Sequence, residues 1–409
     1  MMRFFRVRSR EEVLREIQLF EAVPEEEIPL ENGLHRVLSR PIIAPEDFPL
    51  FPRATMDGFA VRARDTFGAS DSQPALLQVI GEIGMGEAPS GSIGPGQAMR
   101  IPTGGMLPEG ADAVIMVEHA EEFEDMTLEA YRSVAPGENV VAPGEDVRRG
   151  EEILPGGWSL RPQDLGLLAA LGVREIEVHR RPRVAVLSTG DEVVGLDQSP
   201  APGQVRDINS LTISAWLERE GAIPLKMGIV RDVPDLLRER IQWALEEADC
   251  LIMSGGSSVG TRDHIMDALC SLPGVELLAH GISVRPGKPT LLARADRKAI
   301  LGLPGHPVSA LVILHLLGRP LLDRLSGKIY AHRPRPFRAR LTRNLASAQG
   351  REDFVRVALE ERDGELWAKP ILGASGLIGT LVRAEGIVRI DQGCEGLYQG
   401  EWVEVEMFP

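Results

Sequence analysis

Cysteine is scarce. Cys250, Cys270 and Cys394 stand far apart and form no CxxC pair. That spacing suggests neither a zinc site nor a disulfide framework, and a reducing cytoplasm is the expected setting. Lysine is nearly as scarce: only Lys226, Lys288, Lys298, Lys328 and Lys369 stand among 45 basic residues. A long apolar run is also missing. The longest near-apolar stretch, 308–317, contains His315 and is too short to span a bilayer. The first ten residues are basic and lead into acidic residues, not an apolar stretch, so no signal peptide is expected. Positive charge is not in excess either. A formal net charge of -15 repels nucleic acid and anionic membrane, so neither is expected as a partner. An anionic ligand would need positive charge concentrated locally.

What is present is ordinary for a folded chain. Hydrophobic residues make up 43% and charged residues 26% of 409 residues, enough for roughly two to four domains, each with its own core. Residues 183–327 carry the clearest order, with strands expected at 183–187, 225–230, 251–253, 275–284, 290–294 and 298–303. Helices are expected at 210–220, 233–248, 265–272 and 308–325. Strand–helix alternation at this spacing predicts a doubly wound, mostly parallel sheet. Before it, Ser9 and Glu12 fit a capping box on a helix over 9–22, and 34–38 fits one more helical turn. From residue 53 the pattern becomes β, with Asp57-Gly58 read as a hairpin turn. A helix is expected at 162–171. After 329 a period of two returns at 337–341, 354–359, 366–369, 387–390 and 402–407, with Asp363-Gly364 among the turns; this predicts a small barrel or sandwich.

In an open parallel sheet, ligands sit beyond the carboxyl ends of the strands. Four such ends carry polar groups here: Ser188 to Glu192, Arg231-Asp232, the loop Ser254 to His264, and two segments, Arg285 to Pro289 and Gly302 to Pro307. In the glycine loop, backbone N–H groups can face an anion, or glycine can serve only the turn. Asp191, Glu192, Asp232 and Asp263 would crowd one crevice, and a hard divalent cation, most simply Mg²⁺, suits them. Asp232 can equally be a helix N-cap, and Asp57 can simply make its turn. Lys288, Arg285 and Arg262 supply the local positive charge a phosphate needs.

Six spaced motifs together resemble the MoeA family, the molybdopterin molybdenumtransferases. They are Met56-Asp57-Gly58, Thr103-Gly104 with Pro108 to Asp112, Ser188-Thr189-Gly190-Asp191-Glu192, Ser254-Gly255-Gly256 with Val259-Gly260, Pro286-Gly287-Lys288-Pro289, and Leu303-Pro304-Gly305 with Pro307. The resemblance implies a multidomain α/β plus β protein whose central doubly wound, mostly parallel sheet is a molybdopterin-binding, MogA-like domain at 181–329. An extended N-terminal domain (1–52 and 136–180), a small inserted β domain (53–135) and a C-terminal β-barrel (330–409) complete it. It implies that adenylated molybdopterin and molybdate are converted, with Mg²⁺, to molybdenum cofactor and AMP. Homodimerisation is implied, and transient contact with a MogA-like adenylyltransferase and with recipient molybdoenzymes is expected.

Carried residue by residue, Asp57, Thr103, Glu192, Asp232, Asp263 and Lys288 are expected to be catalytic. Gly255, Gly256, Ser257, Ser258, Gly260, Arg285, Pro304, Pro307, Asp146, Arg351 and Ser375 are expected to bind the ligand. Asp191, Glu192, Asp232 and Asp263 are the expected metal ligands. Molybdenum would be held by the pterin's own dithiolene sulfurs, which fits a chain without a cysteine cluster. The chain departs from the family pattern at His306, usually asparagine, at Arg285, commonly lysine, and at Val141 and Arg262. Two other readings stay open: a non-catalytic molybdopterin-binding scaffold, and a nucleotide-diphosphate hydrolase sharing the α/β domain.

Overall fold

The strand Cys250–Ser254 is buried along its whole length, and so is most of Arg183–Thr189 beside it. Continuous apolar runs of this kind belong inside a parallel sheet covered on both faces. The computed structural model, which describes residues 7–255, 264–330 and 334–408, places them there. The sheet runs Ile223–Val230, Arg183–Thr189, Cys250–Ser254, Lys298–Leu303, Leu291–Ala295 and Val275–His280. The first four strands are parallel, and Leu291–Ala295 runs antiparallel to both of its neighbours, Lys298–Leu303 and Val275–His280. Alternate residues feed opposite cores. Val184, Val186, Ile252 and Leu301 enter one, while Ala185, Leu187, Leu251 and Ile300 enter the other. The expected doubly wound sheet is borne out.

The chain forms two compact units. The first comprises Met1–Arg40, Gly156–Arg161 and Glu175–Pro409; the second comprises Pro41–Pro155 and Pro162–Arg174. In the first, helix Arg10–Ile17 carries the expected Ser9–Glu12 capping box and buries Val13 and Ile17 in the larger α/β core. It ends five residues short of the expected 22. The turn expected at 34–38 is instead the strand Val37–Leu38, drawn into pairing with Glu175–His179. The long closing helix is Pro307–Ile313, a wide turn at Leu314–Gly318, and Arg319–Leu325. Pro320 has no N–H to give a regular helix there, and one widened turn absorbs the loss.

The C-terminal strands Phe337–Leu341, Glu352–Arg362, Glu365–Pro370, Gly386–Ile390 and Trp402–Met407 pair around into a closed barrel. Asp363 (φ 52°) and Gly364 (φ 76°) form its expected two-residue turn, with Arg362 facing Glu365. Strand Val284–Arg285 leaves the α/β part and pairs with Glu352 and Asp353 at the barrel edge.

The second unit is built on a six-stranded sheet in the order Ala113–Met116, Gly58–Val61, Gln97–Ile101, Ala75–Glu82, Thr127–Ala130 and Ala120–Glu122. Its helix Pro162–Ala170 matches the expected one. The Asp57-Gly58 hairpin is not formed. Arg53–Ala54 pairs with Val140–Val141, while Gly58–Val61 lies between Gln97–Ile101 and Ala113–Met116. Gly58 is needed for close approach and not for a turn, since a Cβ there would collide with the Ile115 carbonyl.

Leu301 lies on the central strand and is fully buried. Leu301→Ala should destabilise the first unit by about 3 kcal/mol, read as a lower urea midpoint; a change below about 1 kcal/mol would contradict this packing.

Candidate active site

Three strands of the first unit end together, and one buried amide ties two of those ends. Asn209 opens helix Asn209–Arg219, and its Nδ2 donates to Ser254 Oγ (2.6 Å) and to the Gly305 carbonyl (2.7 Å). Gly255 has φ +112°, and a Cβ on it would collide with the Thr189 carbonyl. A Cβ on Gly305 would lie 3.6 Å from Gly255 Cα. Glycine is required at position 255 so that the backbones can approach. Residues 256–263 lie outside the described residues, and with them the expected Gly256, Ser257, Ser258, Gly260 and Asp263.

On one side of this junction carboxylates gather. Glu192 folds back over Gly190, where a Cβ would sit 2.8 Å from Glu192 Oε2. Asp191 stands 3.4 Å from Arg231, an exposed pair that contributes little. Asp232 is not the N-cap considered from sequence. Val233 takes that place with Pro234 after it, and the Asp232 carboxylate is left for other use. Burial, then Asp191 and Glu192, push the Asp232 carboxyl up, and His264 acts in the opposite direction. Asp232 Oδ1, Thr189 Oγ1 and His264 Nδ1 are buried with no hydrogen-bond partner among the described residues. No group of three or more His, Cys, Asp or Glu is arranged to hold a metal among the described residues.

On the other side lies a cleft of about 1170 Å³ between the α/β part and the barrel. Arg285, Lys288, Arg343, Arg351 and Arg356 line it against one carboxylate, Asp353. Asp353 is nearly buried and is held by Arg351 Nε at 2.8 Å, with Arg285 at 3.7 Å. Arg356 is 6% exposed, and its NH2 donates weakly to the Ile371 and Gly373 carbonyls (3.4 and 3.3 Å). Its Nε has no partner among the described residues, and burial pushes the guanidinium's pKa down. A partly desolvated guanidinium lining a cleft favours an anion beside it.

The second unit holds a separate feature. Asp57 Oδ1 accepts from the Thr103 N–H (2.6 Å) and the Thr103 hydroxyl (2.8 Å), which hold the Asp57 carboxyl below its usual range. Both residues are exposed. Asp146 is exposed as well, and its N–H donates to the Phe48 carbonyl.

Three family models cover the chain: the MoeA N-terminal region (domain I and II) over 8–172, a probable molybdopterin binding domain over 185–324, and the MoeA C-terminal region (domain IV) over 338–408. The molybdopterin molybdenumtransferase of Bacillus subtilis is 33% identical, with 97% of this chain and 93% of that protein covered. That of Nostoc sp. is 36% identical, over 86% and 80%. The chain belongs to the MoeA family. Among solved structures, two molybdopterin biosynthesis MoeA proteins of Pyrococcus horikoshii superpose with TM-scores of 0.82 and 0.85. They are 37% and 28% identical and cover 99% and 98% of this chain, and 100% of their own lengths.

Within this MoeA-family fold, Lys288, Arg285, Pro304, Arg351 and Ser375 all line the cationic cleft, although they are scattered over 91 positions of sequence. Pro307 is buried as the first residue of its helix and does not line the cleft. Asp191, Glu192 and Asp232 form the carboxylate cluster, and Gly255 the junction. Asp57 and Thr103 pair in the second unit. Sequence reasoning missed Arg356, Arg343 and Asn209. Arg356 sits between Val355 and Val357 in a strand, where an arginine ordinarily reads as solvent-facing. Asn209 had one signal, the Asp207-Ile208-Asn209-Ser210 run at a helix start; there Asp207 accepts from the Ser210 N–H.

The raised Asp232 carboxyl has a stability consequence. Its folded pKa exceeds its unfolded one, so the folded state holds its proton longer. Stability falls as pH rises through that window, and at neutral pH the ionised group is a net cost. Asp232→Asn should raise the thermal midpoint by about 1–2 °C at neutral pH with chelator present, while activity falls. A lowered midpoint would contradict the crowding of these carboxylates.

Proposed function

We propose that this chain is a molybdopterin molybdenumtransferase that converts adenylated molybdopterin and molybdate to molybdenum cofactor and AMP. The reading from sequence, a transferase of molybdenum cofactor biosynthesis, is borne out by the family and by relatives carrying that activity as their name. The observation that carries the finer chemistry is the cationic cleft: five positive side chains against one carboxylate, in a protein of net charge -15. Such a cleft suits molybdate and phosphate oxygens, which accept from arginine forks and from the point charge of lysine.

The carboxylate cluster suits Mg²⁺. Asp232 offers a buried oxygen without a partner among the described residues, beside Asp191 and Glu192. Magnesium uses one or two carboxylates together with substrate phosphates, so these residues need not form a closed protein cage to hold it. Bound there, the ion would supply neutralising charge for the phosphate group as the phosphoanhydride is cleaved. The chain's own residues would orient and exclude: Lys288 and the arginines hold oxyanions, and the backbone junction at Gly255 and Gly305 lets the substrate approach closely. We also propose a homodimer in the cytoplasm, with Asp57 and Thr103 serving the same reaction and with a MogA-like adenylyltransferase and recipient molybdoenzymes as transient partners. Among the described residues no helix is long and apolar enough to cross a membrane.

The test is AMP release from adenylated molybdopterin with Mg²⁺, with and without molybdate. Wild type should release AMP when molybdate is added. Glu192→Gln and Lys288→Ala should each slow release by about 10²-fold, and Asp57→Ala should slow it measurably. Pterin binding with no AMP from wild type would overturn the transferase reading in favour of a scaffold.

A further inference from the structure

The loop 371–376 forms part of one wall of the cationic cleft and is tied twice to the start of helix Pro307–Ile313. The Val308 N–H donates to the Ser375 carbonyl (3.1 Å), and Ser375 Oγ lies 2.8 Å from His306 Nδ1. Both His306 and Ser375 line the cleft. The hydrogens of this pair can be counted. A neutral imidazole and a hydroxyl own two, of which their mutual bond uses one. An imidazolium and a hydroxyl own three, and again one is used. Protonation therefore adds one positive charge to the cleft and doubles the hydrogens left over for a ligand. The count holds for either neutral tautomer.

We propose that His306 and Ser375 form a proton-linked clamp for the oxyanion bound in this cleft. Protonated His306 donates to Ser375 Oγ, which leaves both the Ser375 hydroxyl hydrogen and the second ring N–H free for the oxyanion. Oxyanion affinity then rises as pH falls and His306 takes up a proton. By reciprocity, the bound oxyanion draws a proton onto His306. The charged groups lining the same cleft among the described residues are Arg285, Lys288, Arg343, Arg351, Arg356 and Asp353. Helix Pro307–Ile313 itself contributes no charged side chain. A doubly negative oxyanion offsets those cations, so ligand and proton favour each other's presence. The inference rests on the oxyanion reading of the cleft given above and adds to it the residue that links affinity to pH.

The experiment is calorimetric titration of the full chain with molybdate, and separately with sulfate, at about pH 6.5 and about pH 8.5. Wild type should bind about fivefold more tightly at the lower pH and take up protons on binding, seen as a dependence of the heat on the buffer. His306→Asn and His306→Gln should bind with affinities that agree within about twofold across the same range, without that proton uptake. Variants that keep the wild-type slope, or a wild type with no slope, would overturn the clamp. If wild type binds neither oxyanion at either pH, the oxyanion reading of the cleft falls, and the clamp falls with it.

Discussion

Five like charges in one cleft repel one another, and the fold must hold them there. Backbone pairing supplies the first restraint. Strand Val284–Arg285 is stitched to Glu352 and Asp353 at the barrel edge, which brings the Arg285–Pro289 segment opposite Arg351 and Arg356. The second restraint is Asp353, nearly buried and shared between Arg351 and Arg285. A buried carboxylate with two guanidinium partners is far better placed than one with none. Arg10 and Glu352, joined by bonds of 2.9 and 3.0 Å, add a further tie between the N-terminal helix and the same edge. What remains unrelieved is the surplus of positive charge facing the cleft, and that surplus is the binding energy offered to an anion.

The opposite charge is stored one strand end away. Asp191, Glu192 and Asp232 accumulate where the strands Arg183–Thr189 and Ile223–Val230 end. Between the two groups stands the junction of Gly255, Gly305 and Asn209, where strand ends are packed as closely as backbones allow. The phosphate-bearing substrate and the divalent cation proposed above would meet complementary fields on either side of one small turn. Residues 304–306 belong to both neighbourhoods: Gly305 faces Gly255, while Pro304 and His306 line the cleft.

Much of this is legible in the sequence, for identifiable reasons. Parallel strands buried on both faces write themselves as short apolar runs, and strand ends in such a sheet announce where a ligand sits. Asp363-Gly364 is legible because its turn needs two positive φ angles. Asp57-Gly58 carries the same letters and misleads, because Gly58 answers to the Ile115 carbonyl of a strand more than fifty residues away. Asp232 is ambiguous in sequence for a related reason: a carboxylate one residue before Val233-Pro234 fits a cap, and only the fold shows Val233 taking that place. Arg356 is hidden because its burial comes from the loop 371–375, which no local pattern connects to it. Lys288 stands out in sequence through its rarity and through the Pro286-Gly287-Lys288-Pro289 motif.

That rarity has a physical counterpart in the cleft. Arg285 and Arg351 already share Asp353, so part of each charge is committed to the scaffold. Arg356 spends its NH2 on two carbonyls. Lys288 differs. Its backbone carbonyl accepts from Ile282 and Thr290, which fixes the chain at that point, yet its ammonium has no ion-pair partner among the described residues. Gly287, with φ +123° and a Cβ position already filled by Ile313, allows the chain to press onto the helix behind it. The lysine is thus a fixed stem with an uncommitted, rotatable charge. An arginine in its place would bring a planar fork that demands bidentate partners, whereas an ammonium can follow a phosphate or molybdate oxygen as the ligand changes.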